Sequence, residues 1–306
     1  MKVAVTGATG RVGRFVVEGL QRHGHEVRAL ARAGSDRSGF STAPQWVTGS
    51  LEDALSVEAL LVGCDGIVHC AFAHLPGRYR GGEGDDPVGF WRTNLLGTLG
   101  LLDAAERAGV TRAVLLSSRA VLGSRQQPGI PIGSPVPDEA LLRPDTHYGA
   151  LKAAEEALAS ALSARGRIAI AALRATGVYG LAYPVSHSKW FDLARRVLHG
   201  QPVTETRCGT EVHGDDLADA VELLLRAPAT EVAGRAFNCS DLALDTREIV
   251  SRLAASAGVE ATLPAPSPPV ALPMACPGLR ALGWSPRGEA GLAPVFEALL
   301  AAARRG

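Results

Sequence analysis

A tyrosine and a lysine stand four residues apart in HYGALK, residues 147–152, in a chain with four tyrosines and only three lysines among its 31 basic residues. Four residues make about one helical turn. On a helix, Tyr148 and Lys152 would therefore share a face. A free phenol has a pKa of about 10 and stays protonated at neutral pH. An ammonium held beside it favours the phenolate, so the pair could give and take a proton. Arginine, the base this chain otherwise uses, is a broad planar fork and does not replace that compact charge. By itself the pair defines no reaction; the rest of the chain must supply what it acts with.

TGATGRVG, residues 6–13, is a second stretch with chemistry in it. Gly7, Gly10 and Gly13 follow the apolar run KVAVT and open a helical pattern. Glycine there permits a tight turn and lets the backbone approach a pyrophosphate, whose charge the helix N-terminus stabilises. Thr9, Arg11 and Val12 lie within the turn and belong to the expected cofactor-binding set. The end of the second strand selects the dinucleotide. An acidic side chain there would accept from a ribose 2′-hydroxyl and repel a 2′-phosphate. This chain instead has Ala31 and Arg32, with Ser35 and Arg37 beyond. An arginine fork suits a phosphate, so NADP is the expected cofactor and NAD the alternative.

Both features need a scaffold that gathers strand ends. Apolar runs at 2–6, 26–30, 45–49, 66–70, 112–118 and 168–174 read as strands. Helical periodicity fills 11–24, 56–63, 87–108 and 148–166 between them. Strands alternating with helices predict an α/β fold, a Rossmann-type doubly wound parallel sheet. The Gly-rich stretch 74–87 and the proline-rich stretches 123–144 and 264–278 read as loops, the first placed to cover the cleft as a lid.

Composition narrows the class. With 46% hydrophobic and 20% charged residues the chain is globular, and its formal charge of zero offers no footprint for nucleic acid. Five cysteines with no C-x-x-C pair suit reduced thiols, and eight histidines lack metal spacing, so no metal is expected. No apolar run suits a signal peptide or a membrane span. The expectation is a soluble cytoplasmic protein.

Along nearly its whole length the chain resembles the extended short-chain dehydrogenase/reductase family, the NAD(P)-dependent epimerase/dehydratase group. The family's T-G-x-x-G-x-x-G is Thr6 to Gly13. Its motif after the third strand appears as GSLED, Gly49 to Asp53, and the close of the fourth strand as His69-Cys70-Ala71, which implies Leu51 and Ala71 as further cofactor contacts. NLLGT (94–98), LLSSRAVLG (115–123), LRATGVYG (173–180), VHGDDLADAV (212–221), FNCSD (237–241) and LGWSP (282–286) match further landmarks. The resemblance implies that Tyr148 is the acid/base at a hydroxyl/ketone carbon while hydride passes to or from the nicotinamide. It makes Lys152 the partner of both Tyr148 and the nicotinamide ribose, Ser118 a hydrogen-bond partner of the reacting oxygen, and Asn94 a support for the lysine. It also implies a small discontinuous C-terminal substrate domain, about 175–210 and 236–286, beside a cofactor domain of 1–174 and about 211–235. A helix over 287–306 and a homodimer through 87–108 and 148–165 complete the expectation.

Departures from the family narrow the reaction. Dehydratases carry an acidic pair after the catalytic hydroxyl, where this chain has Arg119 and Ala120. Gly177 stands where nucleotide-sugar members usually have asparagine, and Arg207 falls out of register with their diphosphate arginine. The small-molecule substrate is therefore expected to be sugar-like and polar, with contacts from Arg78, Arg80, Arg119, Tyr179, His187, Lys189 and Trp190. The expected activity is NADP(H)-dependent oxidoreduction. The alternatives are a nucleotide-sugar 4-epimerase with bound NAD and a catalytically silent cofactor-binding sensor or scaffold.

Overall fold

The computed structural model describes residues 1–75, 78 and 81–305. Strand β1 (Lys2–Thr6) shows how the sheet is layered: Val3 and Val5 join one hydrophobic layer and Ala4 joins the other. After it come α1 (Arg11–Arg22), β2 (Glu26–Ala31), β3 (Gln45–Thr48), α2 (Ala54–Leu61) and β4 (Gly66–His69). A broken helix follows, α3 (Pro87–Trp91), a π turn over Arg92–Leu96, and α4 (Gly97–Arg107). Next are β5 (Arg112–Ser118), α5 (His147–Ser163), β6 (Ala169–Ala175) and β7 (Gly177–Tyr179). The last part holds α6 (Phe191–Leu198), β8 (Cys208–His213), α7 (Gly214–Arg226), α8 (Ala229–Val232), β9 (Ala236–Cys239) and β10 (Leu242–Asp245). It ends with α9 (Thr246–Ala257), α10 (Pro277–Ala281) and α11 (Leu292–Ala303).

Seven strands form one sheet in the order β3-β2-β1-β4-β5-β6-β9, every pair parallel. Such a sheet must be covered on both faces. On one face α1 and α7 pack Val16, Val17, Leu20, Val221 and Leu224 onto Val5, Val68 and Val114. On the other, α2, α4 and α5 pack Leu60, Leu101 and Leu162 onto Ala4, Ile67 and Ile170. The chain leaves β1 for β2 on one side and later returns to β4 on the other. A crevice opens at that switch, at the carboxyl ends of the strands.

A second sheet, β10-β8-β7, carries α6, α9 and α11 over a separate core that includes Val197, Leu253 and Phe296. One detail differs from expectation. The expected boundary near 236 assigns β9 to the smaller unit, yet β9 pairs with β6 and extends the large sheet. The C-terminal helix α11 also packs with α6 and α9 into the small core. The two proline-rich stretches join each other: Val136 bridges Met274, and Val121, Leu122, Val136, Leu272 and Met274 form a satellite core. Arg80, with its neighbours Pro76, Gly77 and Tyr79, lies outside the described residues. Among the described residues no helix is long and apolar enough to cross a membrane.

Candidate active site

The switch-point crevice is a cleft of about 1290 Å³ lined from Gly7 to Gly13 at one end and by Ser118, Tyr148 and Lys152 further along. Gly7 sits at φ +67°, and a Cβ there would lie 2.6 Å from the Ala71 nitrogen. A Cβ at Gly13 would overlap the Gly7 carbonyl. Only glycine lets this turn press so closely on β4 and on itself. Gly10 caps α1 without a side-chain bond, so the first-turn N–H groups are left for something else. The turn therefore fits a pyrophosphate.

Beyond the turn, Ala31, Arg32, Ser35, Gly49, Ser50, Leu51 and Glu52 form the outer wall, and Ala71 lies across from them. Arg32 is exposed. Arg37 lies behind it, with its guanidinium 5.3 Å from the Trp46 ring and donating to Thr48 Oγ1 at 2.7 Å. This end fits the adenosine of a dinucleotide, with two arginines in its neighbourhood.

At the other end, β5 delivers Ser118 and the first two turns of α5 deliver Tyr148 and Lys152. Thr146 caps α5 by accepting from the Gly149 nitrogen at 3.0 Å. A Cβ at Gly149 would overlap the Ala120 carbonyl, so glycine allows α5 to sit directly on the turn that follows Ser118. Ser118 Oγ accepts from the Ala120 nitrogen at 3.2 Å. Phe72 lies between the parts: its ring centroid is 4.9 Å from that of Tyr148, and the Lys152 ammonium sits 5.3 Å from it.

Asn94 falls in the π turn and lines the cleft. Its Oδ1 accepts from the Ala73 nitrogen at 2.8 Å, and its Nδ2 donates to the Ala73 and Phe90 carbonyls, each at 2.9 Å. The amide thus holds the segment that carries Phe72. The direct partner of Lys152 is Glu155, whose Oε2 accepts from Nζ at 2.8 Å. Burial opposes the charge of Lys152, but Glu155, Tyr148 and Cys70 outweigh it, and its pKa stands above the usual lysine value. Burial pushes the Cys70 thiol up to about 12. Neither Phe72 nor Glu155 stood out in the sequence. The only traces were an aromatic residue just after the fourth strand and a glutamate doublet within the helix.

Lys189, Arg119 and Arg207 line the far side of the cleft, with Pro269 to Ala271 above. Lys189 pairs with Glu211, and a Cβ at Gly177 would collide with both tips. Burial drives Lys189 down and Glu211 up, against their mutual attraction. Arg207 folds over the neighbouring strand, its Nε 3.5 Å from where a Cβ of Gly209 would stand. His187 and Trp190 line an adjoining cleft of about 800 Å³, which meets the first at Thr9, Arg11 and His74. Arg78 is exposed and lines neither cleft. Tyr179 corrects the sequence expectation: it is 1% exposed, packed between Trp190 and His213 in the small core, and cannot meet a ligand there.

The sequence model of the NAD dependent epimerase/dehydratase family matches residues 3–240. A protein of Synechocystis sp. named after dihydroflavonol 4-reductase is 38% identical over 120 residues, 39% of this chain and 33% of its own length. A UDP-glucose 4-epimerase of Corynebacterium glutamicum is 27% identical over 217 residues, 71% of this chain and 63% of its own. The matches thus span a third to just under two thirds of these relatives. A UDP-glucose 4-epimerase structure from Stenotrophomonas maltophila, with bound NAD and formylated UDP-arabinopyranose, superposes with a TM-score of 0.81 at 24% identity, covering 100% of this chain and 99% of that one.

Proposed function

Since the chain belongs to the NAD-dependent epimerase/dehydratase family of enzymes, we propose that it is an NADP(H)-dependent oxidoreductase acting at a hydroxyl/ketone carbon of a sugar or sugar-like polar substrate. The observation that carries this is the convergence of the glycine turn, Ser118, Tyr148 and Lys152 on one cleft. Gly7, Thr9, Gly10, Arg11, Val12 and Gly13 cradle the pyrophosphate, Leu51 and Ala71 wall the adenosine, and Arg32 takes the 2′-phosphate. When bound, the nicotinamide supplies the hydride acceptor or donor. Tyr148 gives a proton to the substrate oxygen, or takes one from it, while Ser118 hydrogen-bonds that oxygen. Lys152 favours the tyrosinate and donates to the ribose. Asn94 acts through Ala73, keeping Phe72 against Tyr148 and Lys152.

On the substrate side, Lys189 and Glu211 occupy the space above Gly177. That filling argues for a polar substrate that meets an ion pair there, with Arg119 and Arg207 nearby. A 4-epimerase with bound NAD is the second reading, favoured by the 27% identity to an epimerase over 71% of this chain. The functional unit is proposed to be a cytoplasmic homodimer joined through the 87–107 and 147–163 helices. Val88, Leu96 and Leu99, large apolar side chains exposed on the first of these, support that pairing.

The test is a panel of ketones, hydroxy compounds and nucleotide sugars with either cofactor, followed by nicotinamide absorbance and product separation. Net NADPH consumption supports the oxidoreductase. Epimer formation without net cofactor change supports the second reading. Cofactor binding with no turnover across the panel would leave the protein a sensor or scaffold.

A further inference from the structure

The chemistry above leaves Glu155 without a task, although it is buried against the lysine that chemistry depends on. Its Oε2 accepts from Lys152 Nζ at 2.8 Å and its Oε1 accepts from Thr98 Oγ1 at 3.2 Å. The Thr98 hydroxyl lies 3.0 Å from His69 Nε2, and His69 Nδ1 lies 2.7 Å from Thr6 Oγ1. Thr6, His69, Thr98, Lys152 and Glu155 are all buried. A chain of polar contacts therefore runs through the sheet from the residue before Gly7 to Lys152.

Its direction can be worked out. Burial first, and the Lys152 charge second, hold the His69 pKa down at about 3, so the imidazole is neutral. A neutral ring donates from one nitrogen and accepts at the other. With Thr6 donating to Nδ1, the Nε2–H donates to Thr98, and the Thr98 hydroxyl can donate to Glu155 or to the Asn94 carbonyl 2.9 Å away. The opposite tautomer would consume the Thr98 proton and leave Glu155 facing an oxygen lone pair. A buried carboxylate without its donor is costly. The first arrangement leaves the Thr98 proton available to Glu155.

We propose that Glu155 is a positioning residue for the reaction: its carboxylate, anchored through Thr98, His69 and Thr6, keeps Lys152 charged inside the protein and fixes its ammonium at the cleft wall. The proposal rests on the reading that Lys152 contacts the cofactor. The groups that face Lys152 are Glu155 and Tyr148 on its own helix, and His69, Cys70 and the Phe72 ring from the end of β4 and just beyond. Of these, only Glu155 is a carboxylate. A lysine whose pKa is raised in the folded protein keeps its charge below that pKa and loses it as pH rises through it. Removing Glu155 leaves burial opposed only by Tyr148 and Cys70 and brings that loss down toward neutral pH.

Fluorescence titration with NADPH, and in parallel NADH, across pH tests this on the wild type, Glu155→Gln and Lys152→Met. Wild-type affinity should stay level from about pH 7 to about pH 9.5, while Glu155→Gln should lose roughly tenfold over that range as Lys152 deprotonates. Lys152→Met should bind weakly and without that pH dependence. Should Glu155→Gln fail to fold, Glu155→Asp, whose shorter side chain withdraws the carboxylate, should show a smaller loss in the same direction. A Glu155 variant that matches the wild type at every pH, or is weakened equally at every pH, overturns the proposal. Lys152→Met binding as tightly as the wild type would instead withdraw the assumed role of Lys152, and this proposal with it.

Discussion

Around Lys152, a residue only 4% exposed, lie the face of the Phe72 ring, the Glu155 carboxylate and the Tyr148 side chain. Spacing alone marked Tyr148 and Lys152, because a tyrosine and a lysine one turn apart are unusual in a chain so short of both. Glu155 was not legible in this way. In AAEEA two adjacent glutamates read as a solvated helix face, and only the packing of α5 on the sheet turns both inward, each to its own cation. Arg32 was legible, since the end of the second strand is where a dinucleotide's adenosine ribose lies. Arg32→Ala should cost about 1–3 kcal/mol of NADP affinity, the scale of a charge-assisted phosphate contact, and leave NAD nearly unchanged. Calorimetry with both cofactors measures this; equal losses would mean that Arg32 does not read the 2′-phosphate.

Helix α5 is the element on which the site is mounted, and it is fastened at three places. Thr146 caps it, Gly149 seats it on the Ala120 carbonyl, and Glu156 binds Arg174 of β6 through Nε at 2.9 Å and a terminal nitrogen at 2.8 Å. Ser117 Oγ donates to the same carboxylate at 2.5 Å, and Arg174 reaches on to the Asp138 carbonyl at 2.6 Å. Both members of this pair are almost completely shielded from water. Arg174→Met would strand the Glu156 charge and should lower stability by about 3–5 kcal/mol. Urea denaturation checks it, and a loss below about 1 kcal/mol, the scale of an exposed pair, would contradict the buried anchoring. The alternation of strands and helices was plain in the sequence, but three features were not. The π turn at Arg92–Leu96 lies within a continuous helical pattern. β9 joins a sheet whose other strands come before Thr176, and the two proline-rich stretches meet only in three dimensions.

At the scale of the whole molecule, a seven-stranded sheet presents its carboxyl edge to a smaller unit built on β10-β8-β7, with the cleft between them. The succession of the first strands was readable because each is a short apolar run, although the crossover from β2 to β3 carries no helix. The small unit was harder to delimit, since its strands and helices are scattered from Gly177 to Ala303. If two copies pair through the α3–α4 face, Leu96→Glu with Leu99→Glu should convert a dimer to monomers without unfolding it, because both leucines are exposed in the single chain. Light scattering that gives a monomer for the wild type, or the same dimer for the variant, would remove this face as the interface. One cleft is proposed both to bind the dinucleotide and to carry out proton transfer through a single phenol. The most direct measurement is the rate of nicotinamide oxidation or reduction by Tyr148→Phe on a substrate the wild type turns over, at saturating cofactor. A fall of about a hundredfold or more, with cofactor affinity kept, is the expected result. A rate within a few-fold of wild type would contradict it.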